Sequence, residues 1–273
     1  MKRISTVLMF CATLLIVVSN VAGAITVRTQ AANPDLRGEP VTLRLKVSSG
    51  GVEKGPSFPL GPVQGTVGDT LELGELDQQP QRQAQLLVET SWGSYFRDVS
   101  TDALSEGALD VTVYPDDPSA EVTVSRHGLL VQPFPGRIMV REFVVLSNDG
   151  KGLAGGNQQP LKFDLPDDLS RVIPGPGMSG SEDLQSEGDQ YRYQRKVAPG
   201  ETIIGFFYML RSSGDRYDLT RRMTMPTEQL VFSVPQYDAL TVKPSGLRKM
   251  EDGGPQKAGQ NANIYGTRGL TPG

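Results

Sequence analysis

Val41-Thr42-Leu43-Arg44-Leu45-Lys46-Val47 puts Val41, Leu43, Leu45 and Val47 on one side of an extended chain and Thr42, Arg44 and Lys46 on the other. Successive side chains of a strand point to opposite faces, so this alternation predicts a β-strand with one buried and one wet face. The same period of two recurs at 109–114 (LDVTVY), 121–125 (EVTVS), 161–165 (LKFDL) and 231–234 (VFSV). Residues 137–146 (RIMVREFVVL) read as a longer strand whose second half is more apolar. The run 203–210 (IIGFFYML) predicts a buried strand from its length, aromatics and β-branched residues. No window carries a convincing helical period. Residues 219–223 (LTRRM) suit a helical turn or a strand end equally.

Turn residues punctuate these runs: Gly50-Gly51, Pro115-Asp116-Asp117-Pro118, Pro133-Phe134-Pro135-Gly136, Asn148-Asp149-Gly150, Pro199-Gly200 and Ser213-Gly214-Asp215. Proline and glycine set the φ angles that such reversals need. Short strands so divided predict an all-β chain of two antiparallel β-sandwich domains in tandem. Two prolines and two aspartates at 115–118 interrupt any strand there and mark the boundary. The expected organisation is a leader at 1–24, a first sandwich at 25–117, a second at 118–247 and a polar tail at 248–273. Ile264-Tyr265 either belong to a disordered tail or add one late strand. Residues 171–190, rich in Gly, Pro, Ser and acids, are expected to form a long exposed loop.

The leader is read from its three-part order. Lys2 and Arg3 are basic, residues 7–18 (VLMFCATLLIVV) are apolar, and Ala22 and Ala24 provide an A-x-A cleavage site. That is the pattern of a secretory signal peptide cut after Ala24. The apolar core is shorter than the roughly 20 residues a membrane anchor needs. No later stretch approaches that length, so no transmembrane segment is expected in the mature chain. The chain's one cysteine, Cys11, lies within the leader and follows the bulky Phe10, which argues against lipidation. The mature chain then holds no disulfide, thiolate metal site or cysteine nucleophile. Export to the periplasm or the extracellular space permits disulfides without requiring them.

Cleavage also removes two positive charges. It leaves 25 basic against 31 acidic residues, a formal charge of −6. Nucleic-acid binding needs a basic patch, and here the basic residues are scattered apart from Arg221-Arg222, read as a solvated strand end. One histidine, His127, cannot build a His-rich zinc site, and no G-x-S-x-G elbow surrounds a serine. His127 is expected to be a surface or satisfied strand residue. The pairs Asp116-Asp117, Asp167-Asp168 and Glu182-Asp183 sit in turn-like settings, where solvated turns outweigh acid–base work. Gly152-Leu153-Ala154-Gly155-Gly156 lacks the lysine of a phosphate loop and reads as a flexible hairpin loop. Ser147-Asn148-Asp149-Gly150 and Ser186-Glu187-Gly188-Asp189 fall short of a calcium loop. Catalytic residues, metal ligands and cofactors are therefore expected to be none.

One surface feature stands out. Trp92 and Gly93 fall at a hairpin tip, with Tyr95 and Phe96 just after. Exposed there, these aromatics can stack on a sugar ring or a partner protein; the opposite expectation is that Trp92 folds back over the core.

The order of features resembles bacterial exported proteins with a carboxypeptidase-regulatory-like (transthyretin-like) domain followed by a second, immunoglobulin-like β-sandwich. The resemblance rests on 33–43 (NPDLRGEPVTL), 88–96 (VETSWGSYF) and 111–117 (VTVYPDD) in the first part. In the second it rests on 140–148 (VREFVVLSN), 161–166 (LKFDLP), 198–201 (APGE) and 264–273 (IYGTRGLTPG). An exported, acidic, β-rich chain lacking metal-ligand clusters and nucleophile motifs is expected to be a non-catalytic cell-envelope protein that binds an envelope protein or a surface polysaccharide. The alternative is a carbohydrate-binding module or a carboxylate-based glycan hydrolase.

Overall fold

The computed structural model describes residues 24–48, 58–75, 83–157, 159–166, 169, 171–211, 217–236, 241–243, 245–250 and 262–273. The leader through Gly23 with Cys11, the turns at Gly50-Gly51 and Ser213-Gly214-Asp215, and the pair Asp167-Asp168 lie outside them.

The chain is all-β. Its first strands are β1 (Ala24–Ala31), β2 (Pro40–Ser48), β3 (Phe58–Thr66), β4 (Thr70–Glu75), β5 (Gln83–Thr90), β6 (Gly93–Val99) and β7 (Ala108–Val113), with a short helix α1 (Thr101–Glu106) before β7. They form two sheets, β4-β1-β7 and β3-β2-β5-β6. Val41, Leu43, Leu45 and Val47 of β2 are buried, as their alternation predicts. They face Ile25, Val27, Leu109, Val111 and Val113 of the other sheet across one core. Burying two apolar sheet faces against each other is what makes a sandwich stable. Antiparallel ladders dominate, but β1 and β7 pair in parallel.

The helix α1 departs from expectation. Ser100 Oγ accepts a hydrogen bond from Ala103 N at its start, and Gly107 ends it at φ 69°. Caps of this kind supply partners for orphan backbone groups and need no side-chain burial. No residue of α1 is buried, so no apolar period announces it.

The later strands are β8 (Val122–Phe134), β9 (Arg137–Asn148), β10 (Ala154–Gly155), β11 (Leu161–Phe163), β12 (Ile173–Pro174), β13 (Leu184–Glu187), β14 (Gln190–Tyr193), β15 (Lys196–Val197), β16 (Gly200–Arg211), β17 (Thr227–Pro235), β18 (Arg248–Lys249) and β19 (Ala262–Leu270). Seven of them form the sheet β12-β16-β9-β8-β17-β19-β18. Ile264 and Tyr265 do join a late strand, β19, paired along β17. The inner face of this sheet meets Leu161, Phe163, Leu184 and Tyr193 of the small sheet β11-β14-β13 in a second core.

Three expectations are corrected. Residues 171–190 are not an exposed loop: Met178 is fully buried, and Val172, Asp183 and Leu184 are buried with it. Gly175 N donates to Gly205 O, and Gly205 N to Pro176 O, which ties the segment to the edge of β16. A Cβ on Gly175 would stand 2.7 Å from Gly205 O, so glycine permits this approach. The 152–156 stretch is not a flexible hairpin loop either. Leu153 and Ala154 are buried, β10 pairs with β15, and Leu153 joins the first core together with Ala198. Finally, the 203–210 run is buried on one face only. Ile204, Phe206, Tyr208 and Leu210 point into the core, while Ile203 is 39% exposed beside Phe143 at 40%.

The β3-β2-β5-β6 sheet is covered on both sides. Its outer face carries Leu87 and its cross-strand partner Phe96, both buried. On the same face, Lys46 Nζ donates to Met178 O at 2.8 Å, and Gln85 Oε1 accepts from Gly177 N at 2.7 Å. The two cores thus meet across a tight junction.

Candidate functional site

Three places concentrate polar chemistry. The first lies within the second core. Along β9 the buried row is Ile138, Val140, Glu142, Val144 and Leu146, so strand parity carries a carboxylate into an apolar face. Glu142 is completely buried. His127 Nε2 lies 2.7 Å from its Oε2, Arg221 Nη2 donates to its Oε1 at 3.0 Å, and the Tyr208 hydroxyl donates to the same Oε1. Arg221 also bonds the Tyr208 hydroxyl and sits 5.8 Å from its ring centroid. Burial pushes the Glu142 carboxyl up, but the hydrogen bond from His127 and the charge of Arg221 outweigh it and hold the group down at about 2. Burial, followed by the Glu142 charge, pushes the Tyr208 phenol well above its usual range. The space beside His127 and Arg221 is about 10 Å³, the lower limit for one water molecule.

His127 is therefore a satisfied strand histidine. Arg221 corrects the sequence expectation: it is no solvated strand end, since its side chain is 4% exposed and spans to Glu142. The parity of 137–146 could have exposed Glu142. Nothing in 219–223 announces Arg221, which hangs from an irregular segment.

The second place is the junction. Asp183 is buried and accepts from Ser179 N, from Ser179 Oγ at 2.9 Å and from Arg195 Nε. Arg195 reaches onward to Ser94 Oγ of β6 and to Ser179 Oγ. Lys196 pairs with Asp116, and Asp117 Oδ1 accepts from the Ser119 hydroxyl at 2.6 Å. The hydrogen bond from Ser119 heads the causes that hold the Asp117 carboxyl below its usual range. Burial pulls the Lys46 ammonium below the usual lysine range, against the opposing pull of Asp183 and Glu182. Asn148 is buried and donates to Gly152 O and Val197 O, so it is spent on chain geometry.

The third place is a cavity of about 170 Å³ between β6 and β16, lined by Gln85, Phe96, Arg97, Asp98, Glu201, Thr202 and Ile203.

The aromatic trio is not an exposed platform. Ser91-Trp92 do turn the β5–β6 hairpin, with Thr90 opposite Gly93. Yet Tyr95 is fully buried in the first core, where its hydroxyl donates to Thr112 O at 2.8 Å. Phe96 is buried at the junction. Trp92 is half-buried against the first core, and its Nε1 donates to Tyr114 O at 2.9 Å. Tyr95 and Trp92 pack on the first core, and the second covering of this sheet buries Phe96 on the opposite face of β6.

Among the described residues, no three His, Cys, Asp or Glu side chains converge as metal ligands would. No helix among them is long and apolar enough to cross a membrane. Compared with known proteins, the chain matches no family model and no curated sequence.

Proposed function

We propose that the chain is a non-catalytic exported protein of the bacterial envelope, a binding or structural module for a partner protein or surface polymer. The observation that carries this reading is where the reactive side chains are spent. His127, Glu142, Tyr208 and Arg221 bond one another inside a core beside space for about one water, with Arg221 Nε left without a hydrogen-bond partner among the described residues. Asp183, Arg195, Asp116 and Lys196 are likewise committed to joining the two cores. A general acid or base must reach the proton it moves, and these groups are held by ion pairs and hydrogen bonds inside the fold.

The reading includes two tandem sandwich domains, the first of carboxypeptidase-regulatory-like type. It also includes export by residues 1–24 to the periplasm or beyond. The leader pattern supports export, and the −6 charge of the remaining chain gives no footprint for nucleic acid.

A carbohydrate-binding or glycan-hydrolase role is favoured by one observation, that Asp98 and Glu201 line the same cavity. Two carboxylates flanking a sugar are the minimum for glycoside hydrolysis. Envelope extracts carrying a tagged chain distinguish the readings. The binding reading expects a processed N-terminus at Ile25 and a stable partner in mass spectrometry. An unprocessed cytoplasmic chain, or a monomer without a partner in every fraction, sinks it. Turnover of an envelope glycan that disappears in Glu201→Gln favours the hydrolase.

A further inference from the structure

The junction cavity brings two unusual features together. One is a pair of carboxylates. Asp98 shares a strand face with Phe96; Arg97, which also lines the cavity, lies by strand parity on the Tyr95 face, where its charge acts on the Tyr95 hydroxyl, so the two carboxylates outnumber the one cation of the lining. Gln85 fixes Asp98 in place: its Nε2 donates to Asp98 Oδ1 at 2.7 Å while its Oε1 holds Gly177 N. Asp98 Oδ2 has no hydrogen bond among the described residues and remains an acceptor. Glu201 stands on the other wall, exposed, with Oε1 3.3 Å from Ser125 Oγ.

The other feature is apolar. Phe143 and Ile203 are the exposed large hydrophobic residues among those described, and they lie side by side. Gly205 pairs with Phe143 across β16 and β9, and Ile203 is two residues away on the same face. A Cβ on Gly205 would stand 3.3 Å from Phe143 Cδ1, so the ring lies over the glycine. The ledge continues directly into the cavity, because Ile203 lines both.

We propose that this groove and ledge dock a segment of a partner protein in which a lysine or arginine adjoins a large apolar residue. The inference rests on the binding-module reading and names the chemistry of its partner. Two carboxylates, each with one oxygen that makes no hydrogen bond among the described residues, complement a cation, and the neighbouring apolar ledge gains from being covered. A polyanion would be repelled. A small free cation would leave Phe143 and Ile203 wet.

The test is ¹⁵N NMR titration of the mature chain, residues 25–273, with acetyl-Gly-Leu-Lys-Leu-Gly-amide. Parallel titrations use the same peptide with glutamate for lysine, spermidine, and chitohexaose. The proposal expects amide shifts confined to residues 96–98, 142–144 and 201–203, with the lysine peptide alone. The D98N/E201Q double variant preserves the Gln85 contact and should weaken binding about tenfold. I203S should weaken it comparably without touching a charge.

No shift with the lysine peptide, an equal response to the glutamate peptide, spermidine or chitohexaose, or unchanged binding by the variants overturns the proposal. Envelope co-purification then separates the two levels. A partner captured equally by wild type and D98N/E201Q overturns the groove and leaves the module reading standing. No partner captured by wild type overturns the module reading, while the titration still judges the groove.

Discussion

Two buried ion networks hold this molecule, and they are built to different plans. The Glu142 network lies inside one core: its carboxylate is completely enclosed, and its three partners come from β8, β16 and the segment before β17. The Asp183 network lies between cores, where Arg195 is still 17% exposed and one of its bonds crosses to Ser94 of the first sheet pair. A fully buried charge gains its stability only while every partner remains, because its desolvation is already complete. At the junction Asp183 is also enclosed, but it keeps the Ser179 N and Oγ bonds when Arg195 is lost, and Arg195 itself borders water. The difference teaches that Glu142 secures one core, while Arg195 secures the relation between two.

The largest expected effect breaks the first network. Glu142→Ala leaves Arg221 charged in an apolar core and should cost about 3–5 kcal/mol. Urea unfolding of the mature chain measures it. A cost below that of any junction substitution would reverse the comparison.

Acid provides a second route to the same network. The Glu142 carboxyl is held at about 2, below its ordinary 4.5. The unfolded chain therefore takes up the proton first. The contribution is fully present above pH 4.5 and is lost as pH falls through about 2, amounting to about 3 kcal/mol. Unfolding midpoints between pH 6 and pH 2 should show this loss. The slope should flatten in Glu142→Gln, which cannot titrate. A wild-type slope that survives unchanged in that variant would assign the acid sensitivity to other carboxylates.

Arg195→Met at the junction should cost less, about 2 kcal/mol, since Asp183 keeps its Ser179 bonds. Its signature should be local. Hydrogen exchange should rise along β6 and residues 176–183 and stay unchanged along β9. Equal loosening of β9 would mean that the two networks are one.

The contrast also explains what the sequence made legible. The strands could be read because one of their faces meets a core: 41–47 and 109–114 alternate, and their apolar rows are the buried rows. Glu142 could be read in principle from its place in an otherwise apolar row. The junction could not. Gln85, Ser94 and Phe96 look like the outward face of a sheet, and only the 176–178 segment, tied to β16 by close glycine contacts, turns that face inward. Trp92 folds back over the first core, as one of the two sequence expectations has it, whereas the burial of Phe96 was hidden for the same reason as the junction: a second covering layer leaves no mark in the strand it covers.

The smallest effect uses the one tryptophan as a reporter of this contrast. Trp92 closes the hairpin that carries Ser94, and its indole donates to Tyr114 O, two residues from the Asp116 that binds Lys196. Trp92→Phe removes that bond and should cost about 1 kcal/mol. More usefully, the indole is half-buried at the junction side of the first core and remote in sequence from the Glu142 network. Its emission should shift to the red in Arg195→Met, where the hairpin loses an anchor, and stay unmoved in Tyr208→Phe, where one hydroxyl leaves the enclosed network. Because β6 is held on one side by its own sheet and on the other by Arg195, only the loss of the second support can let water reach the buried part of the ring before the whole chain unfolds. Equal spectra for the two variants would show that the junction gives way only together with the core.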